Sequence, residues 1–172
     1  DSNEGRALAG AITSIMTGHA YEQSAEMADV KGAFPGYRDA RCNGVAKPLA
    51  KDNIESMRSV MQLHRDAVED IQPSDNFGYL KDAARDCWEA ALEKGDHNGY
   101  RNAQVTVLAP TGTIAFLMDC DTTGVEPDIA LVKYKLLAGG GTLKIVNRTV
   151  PEALSRLGYT ADEVKKIVAH VE

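Results

Sequence analysis

The sequence is short of the residues that announce several common functions. It has three cysteines, Cys42, Cys87 and Cys120, odd in number, far apart and with no CxxC pair. Zinc and dithiol redox sites are therefore not expected, and reduced thiols in a cytoplasmic protein are the default reading. His19, His64, His97 and His170 share no ligand spacing, so no metal site is expected from them either. No apolar run approaches the ~20 residues that span a bilayer, and the amino terminus lacks a basic-then-apolar secretory pattern. Cations are in deficit: 19 Lys and Arg face 25 Asp and Glu, a net charge of −6. That balance speaks against direct DNA or RNA binding, since surfaces that track nucleic-acid phosphates need clustered Lys and Arg. An initiator Met is missing as well. The opening Asp1-Ser2-Asn3-Glu4 is expected of a piece of something longer, although a processed terminus reads the same.

What remains suits a folded domain. The 172 residues are 44% apolar and 26% charged, enough to bury a core. Helical spacing of Leu8, Ile12, Ile15 and Met16 predicts a helix from a Ser2 or Asn3 cap, with Gly18 as a point of bending or interruption. Residues 31–37 stop it through Gly32, Pro35 and Gly36, and residues 38–51 show no period. Further helices are predicted over Ile54–Val68 and Tyr79–Lys94, the latter ended by Gly95. Then the character changes. Gln104–Ala109 is rich in β-branched residues and reads as a buried strand closed by Pro110. Ile129–Leu137 and Thr142–Val146 read as strands around a Gly139-Gly140-Gly141 turn, and Val150–Leu157 and Ala161–His170 as helices. Two or three strands make a poor sheet alone, so the organisation fits part of a larger α/β barrel. Residues 1–172 are read as a single partial domain: 1–100 mainly helical, 101–150 the strand and loop region, 151–172 helical.

The chemistry concentrates at Pro110-Thr111-Gly112-Thr113-Ile114, between the predicted strand and a short apolar helix starting near Thr113. A helix amino terminus offers free backbone N–H groups to an anion. Gly112 allows close approach, and Thr111 and Thr113 carry hydroxyl donors. No Lys follows the turn, so it is not a Walker-type loop. On spacing alone a purely structural turn is the stronger reading.

The surrounding residues add a resemblance. The stretches Asn102-Ala103-Gln104 through Ile114, Met118-Asp119-Cys120-Asp121-Thr122-Thr123-Gly124-Val125-Glu126-Pro127-Asp128, and Ala130 to Lys135 resemble the adenosylcobalamin-dependent, class II ribonucleotide reductases. So do Met16 to Tyr21, Phe34-Pro35-Gly36-Tyr37 and the run from Val146-Asn147 to Tyr159. The resemblance covers nearly the whole chain, most specifically residues 102–151 and least residues 38–76. It implies a helix-rich fragment of a ten-stranded α/β barrel. It also implies that Pro110, Thr111, Gly112, Thr113 and Ile114 cradle the phosphates of a ribonucleoside di- or triphosphate, with adenosylcobalamin supplying the radical. The remainder of the reductase chain is then the main partner, and a homodimer is compatible with it.

The family's radical cysteine lies in an Asn-x-Cys-x-Glu pattern that this sequence lacks; Cys42 has no Glu two residues on. The carboxy-terminal reducing cysteines are absent too. No catalytic residue is therefore assigned. The segment supplies the phosphate loop, and the alternative is an independent nucleotide-binding or regulatory module without catalysis. A helical scaffold with a structural turn is a third reading. Cys120, between two acids, is a poor setting for a thiolate, and Cys87 belongs to a helix's apolar face. Asp119, Asp121, Glu126 and Asp128 could mimic a divalent-metal cluster, but turn and capping bonds suit them better. Lys133 and Lys135 face either a phosphate or solvent on an alternating strand, and His64 suits the edge of a packing face.

Overall fold

A computed structural model describes residues 2–37, 41–42, 45–46, 53–72, 74–125, 128 and 130–171. They fall into two compact units, Asp1–Val107 and Leu108–Glu172. The first is built on α1 (Asn3–Lys31), whose cap Ser2 accepts the Gly5 amide on Oγ at 2.9 Å. Gly32, at φ 77°, ends the helix. Helix α1 runs unbroken from Asn3 to Lys31, without the interruption considered at Gly18. A Cβ there would lie 3.1 Å from Cys87 Cβ and 3.3 Å from the Trp88 ring. Gly18 therefore serves close helix approach, not chain breaking. Most of the residues that α1 buries are similarly small, including Ala7, Ala11, Ser24, Ala25 and Ala28.

Against it packs α3 (Gly78–Asn98), burying Ala84, Trp88 and Ala91. The helix overruns its expected stop at Gly95 and is capped instead by Gly99, at φ 73°. The reason is steric. A Cβ on Gly95 would stand 2.1 Å from the Tyr100 hydroxyl, so this glycine makes room for a ring while staying helical. Helix α2 (Asn53–Ala67), continued by a 3₁₀ turn at Val68–Asp70, brings Met57, Met61 and Val68 into the same core. Trp88 sits at the centre, its indole N–H donating to Ser14 Oγ at 2.9 Å and its ring stacked on His64 at 5.0 Å. Arg41–Cys42 (β1) and Val45–Ala46 (β2) form a minimal antiparallel pair within the stretch read as irregular. The rest of residues 38–51 lies outside the described residues.

The predicted buried strand at Gln104–Ala109 is not one. No described strand runs beside it to complete a hydrogen-bond ladder, and Val107 is 84% exposed and Leu108 70%. Residues 100–106 are tied to the helices instead. The Arg101 amide donates to Ser24 C=O and the Asn102 amide to Ser24 Oγ. Tyr21 donates to Ala103 C=O, and the Thr17 and Thr106 hydroxyls lie 2.9 Å apart.

The second unit opens with the short helix α4 (Gly112–Leu117). A hairpin follows, β3 (Val132–Leu136) and β4 (Thr142–Val146), registered Val132 to Val146 and Leu136 to Thr142. The glycine turn is as expected, with Gly140 and Gly141 at φ 84° and 94°. Helices α5 (Val150–Arg156) and α6 (Ala161–Val171) close the unit. Thr160 and Glu163 form a reciprocal capping box at the start of α6. Among the described residues, no helix is long and apolar enough to cross a membrane.

Two glycines of α1 should respond oppositely to substitution. Gly18→Ala forces α1 from α3 and should destabilise by ~1–3 kcal/mol. Gly10→Ala meets only Ile71 at 3.7 Å, an ordinary contact, and should stabilise by ~0.5–1 kcal/mol. Urea unfolding of both variants checks the pair.

The α1–α3 seam also carries Lys94, which donates to Glu22 and Glu26. Those bonds push the ammonium up to about 12 and hold both carboxyls below their usual range, against a smaller opposing effect of burial. Depressed carboxyls stabilise above their unfolded value of ~4.3 and lose that effect as pH falls through the folded one. The stability gap between the native chain and Lys94→Met should therefore be open at pH 7 and narrow below about pH 4, measured as urea midpoints at each pH.

Candidate functional site

The loop residues converge on the start of α4. Thr111 occupies the cap position, but its side chain does not cap the helix. Its amide and its hydroxyl both donate to Thr123 C=O, at 2.7 and 3.0 Å, while its own C=O accepts the Ala115 amide. The amides of Gly112, Thr113 and Ile114 point out of the first turn and meet no acceptor among the described residues. Pro110, Thr113 and Ile114 are exposed, and nothing lies within 4 Å of a Cβ built on Gly112. An open turn with three unpaired amides can receive an anion. With six residues α4 adds little dipole of its own, so the amides are the main attraction.

The segment behind Thr111 is held by two cations. Lys133 on β3 donates to Asp121 C=O at 2.8 Å and to Asp128 Oδ1 at 2.5 Å. Asn147, 8% exposed at the end of β4, donates to Asp128 Oδ2 and accepts the Thr149 amide and hydroxyl on Oδ1. Arg148 donates from its backbone to Asp121 Oδ1 and from its guanidinium to Asp119 C=O and Oδ1. Asp119 sits at φ 59°, a left-handed conformation uncommon outside glycine, with Arg148 bonded to both its carbonyl and its carboxylate. Those carboxylates, chiefly Asp119, hold the Arg148 guanidinium more firmly in its charged form.

The acidic residues therefore serve as anchors. Among the described residues no group of three or more His, Cys, Asp or Glu side chains could hold a metal ion; Glu126 lies outside them. Lys133 is committed to Asp128 and to the Asp121 carbonyl, and Lys135 lies 4.1 Å over the Phe116 ring. Cys120 is exposed, its thiol 3.9 Å from Met118 C=O. Cys87 is half-buried at the α1–α3 seam, and burial, aided by the charges of Glu22 and Asp86, pushes its thiol up. Asn147 and Arg148 are the residues that sequence reading misses. The signal available for them is an Asn just ahead of a helix with Pro151 in its first turn.

A sequence model of the ribonucleotide reductase barrel domain matches residues 1–172. The chain belongs to the ribonucleotide reductase barrel-domain family. A vitamin B12-dependent ribonucleotide reductase of Rhodopirellula baltica is 51% identical over 172 residues, covering 100% of this chain and 15% of that protein. The enzyme of the same name from Streptantibioticus cattleyicolor is also 51% identical, over 99% of this chain and 26% of its own length. That from Agrobacterium fabrum is 47% identical over 99% of this chain and 14% of its own. This barrel-domain segment thus spans about a quarter or less of the curated relatives it matches.

The anchoring set is open to a direct test. Asp128→Asn leaves the half-buried Lys133 ammonium without its carboxylate and should destabilise by ~1–3 kcal/mol. Amide hydrogen exchange at Thr111 should quicken with it, because the Thr123 carbonyl loses its footing; unchanged exchange would sink the link between anchor and loop.

Proposed function

We propose that the protein containing this segment reduces ribonucleotides to deoxyribonucleotides by radical chemistry dependent on adenosylcobalamin, and that Pro110, Thr111, Gly112, Thr113 and Ile114 receive the substrate's phosphates. The observation that carries the reading is 51% identity along the whole segment to vitamin B12-dependent reductases. The three unpaired amides of Gly112, Thr113 and Ile114 support the site, because they supply what a phosphate needs and the fold leaves them open. On this reading residues 1–172 form one partial domain of a ten-stranded α/β barrel in a cytoplasmic enzyme. The remainder of the chain is its principal partner, and a homodimer is compatible with it. Nucleic acid and membrane are not partners.

The segment contributes binding, not the radical. It has no Asn-x-Cys-x-Glu element, and Cys87 belongs to the helical seam. Adenosylcobalamin supplies the initiating radical when bound. A cleft of the first unit, beside Phe34, Tyr37 and His97, holds about 480 Å³, within the range of ligands much smaller than a corrin. We assign the cofactor no contact here.

Deoxyribonucleotide formation by the full-length protein should require adenosylcobalamin; turnover without it, or none with it, would overturn the assignment. The double variant Thr111→Val/Thr113→Val should raise the ribonucleotide KM by about tenfold or more, on the scale of one lost charge-assisted hydrogen bond.

A further inference from the structure

Helices α1 and α3 run parallel. Glu4 receives Asn76 at one end, Ser14 meets Trp88 midway, and Asn98 reaches the Ala25 carbonyl at the other. Both positive helix ends therefore lie together, and so do both negative ends. The chain answers the positive pair itself: the Glu4 carboxylate accepts Asn76 Nδ2 at 2.7 Å and Ser74 Oγ at 3.4 Å. The negative pair is less well served. Gly32 and Gly99 close the helices on the Ala28 and Gly95 carbonyls. Among the described residues, the carbonyls of Asp29, Val30 and Lys31 on α1, and of Asp96, His97 and Asn98 on α3, receive no donor. Arg101 reaches only the Gly32 and Ala33 carbonyls beyond α1, at 3.5 and 3.4 Å.

The 480 Å³ cleft opens at this shared end. Asp29, His97 and Asn98 form its polar side, and Ala33, Phe34 and Tyr37 its apolar side. No Lys or Arg lines it, and Lys31, the basic residue of the last α1 turn, lies outside the lining. Tyr37 is buried and meets the Phe34 ring edge to face at 5.3 Å. A Cβ on Gly99 would stand 2.6 Å from the Tyr37 ring, so the aromatic wall sits directly against the end of α3. A carboxylate, free helix-end carbonyls and aromatic rings each attract a cation. One carboxylate and one imidazole are too few for a metal ion, and no metal-holding group occurs among the described residues. An ammonium suits the place better, because its three N–H donors meet several acceptors at once while a short apolar body lies along the rings.

We propose that this cleft binds a small organic primary amine as its ammonium ion, the charge towards Asp29 and the helix ends and the apolar body against Phe34. The site lies wholly within the first unit and owes nothing to the proposed reaction.

The test titrates para-fluorobenzylamine into the full-length protein and follows its fluorine NMR line width. Saturable binding with a Kd on the order of 1 mM is expected for so small a ligand. Asp29→Asn should weaken it about threefold or more, the scale of one exposed ion pair. His97→Lys, which brings a competing ammonium of the chain's own into the cleft, should weaken it about tenfold or more. Both positions are exposed, so the fold should survive either change, as melting curves would verify. Asp82→Asn, on α3 but outside this cleft, should leave the Kd where it was. The neutral para-fluorobenzyl alcohol, with the same body, should bind at least about tenfold more weakly. Absence of saturable amine binding overturns the site. So does equal binding of the alcohol, or a Kd unmoved by Asp29→Asn or by His97→Lys.

Discussion

The first unit depends on one close approach, that of α1 to α3 at Gly18 and Trp88. A Cβ at Gly18 would crowd Cys87 and the Trp88 indole at 3.1 to 3.3 Å, so the glycine eases the indole's approach to the α1 backbone, and the indole then organises what is near it. Its N–H finds Ser14, its face takes His64, and Tyr21 packs 6.0 Å away. A close-packed interior tolerates little change in volume, so the small residues of α1 are a packing requirement and not a weakness in the helix. The same seam carries Ser24, whose hydroxyl and carbonyl receive the Asn102 and Arg101 amides. Residues 100–106 therefore leave the helices along a course set by α1.

The second unit solves a different problem, holding an irregular loop with few apolar residues. Its means are electrostatic. Asp119, Asp121 and Asp128 would repel one another if left bare, and Lys133 and Arg148 convert that repulsion into a frame. Asn147 completes it from a nearly buried position where an unpaired amide would be costly. The acidic surplus of the sequence is thus partly structural, and the nearby cations are consumed in balancing it.

Much of the helical layout was legible because periodicity and caps are local signals: Ser2 and Gly32 sit where their chemistry places them. The errors were all at residues whose role is tertiary. Gly18 and Gly95 read as breakers, yet each is a vacancy for a ring from elsewhere in the chain, and no local pattern reveals that. Gln104–Ala109 has strand composition but no described neighbour to pair with, and β-propensity expresses itself only on a partner. The candidate loop was singled out by its Pro–Thr–Gly order ahead of a short helix, which does start at Gly112, and by its likeness to a family. Its frame was not, because Arg148 and Lys133 reach it across 12 to 29 positions of sequence.

An anion-receiving turn without a lysine, as proposed here, poses a question of selectivity that this frame answers. A free cation at the turn would attract any anion, whereas amides fixed in one direction favour an anion that fits their spacing. Here Lys133 and Arg148 are bonded to carboxylates and Lys135 lies over Phe116, so on the proposed reading the attraction at Gly112, Thr113 and Ile114 comes from oriented dipoles. Such dipoles work only if they do not reorient, and α4 is too short to enforce that itself. Rigidity must come from behind the loop. The pair of hydrogen bonds from Thr111 to the Thr123 carbonyl, backed by the carboxylate–cation frame, is the connection that supplies it.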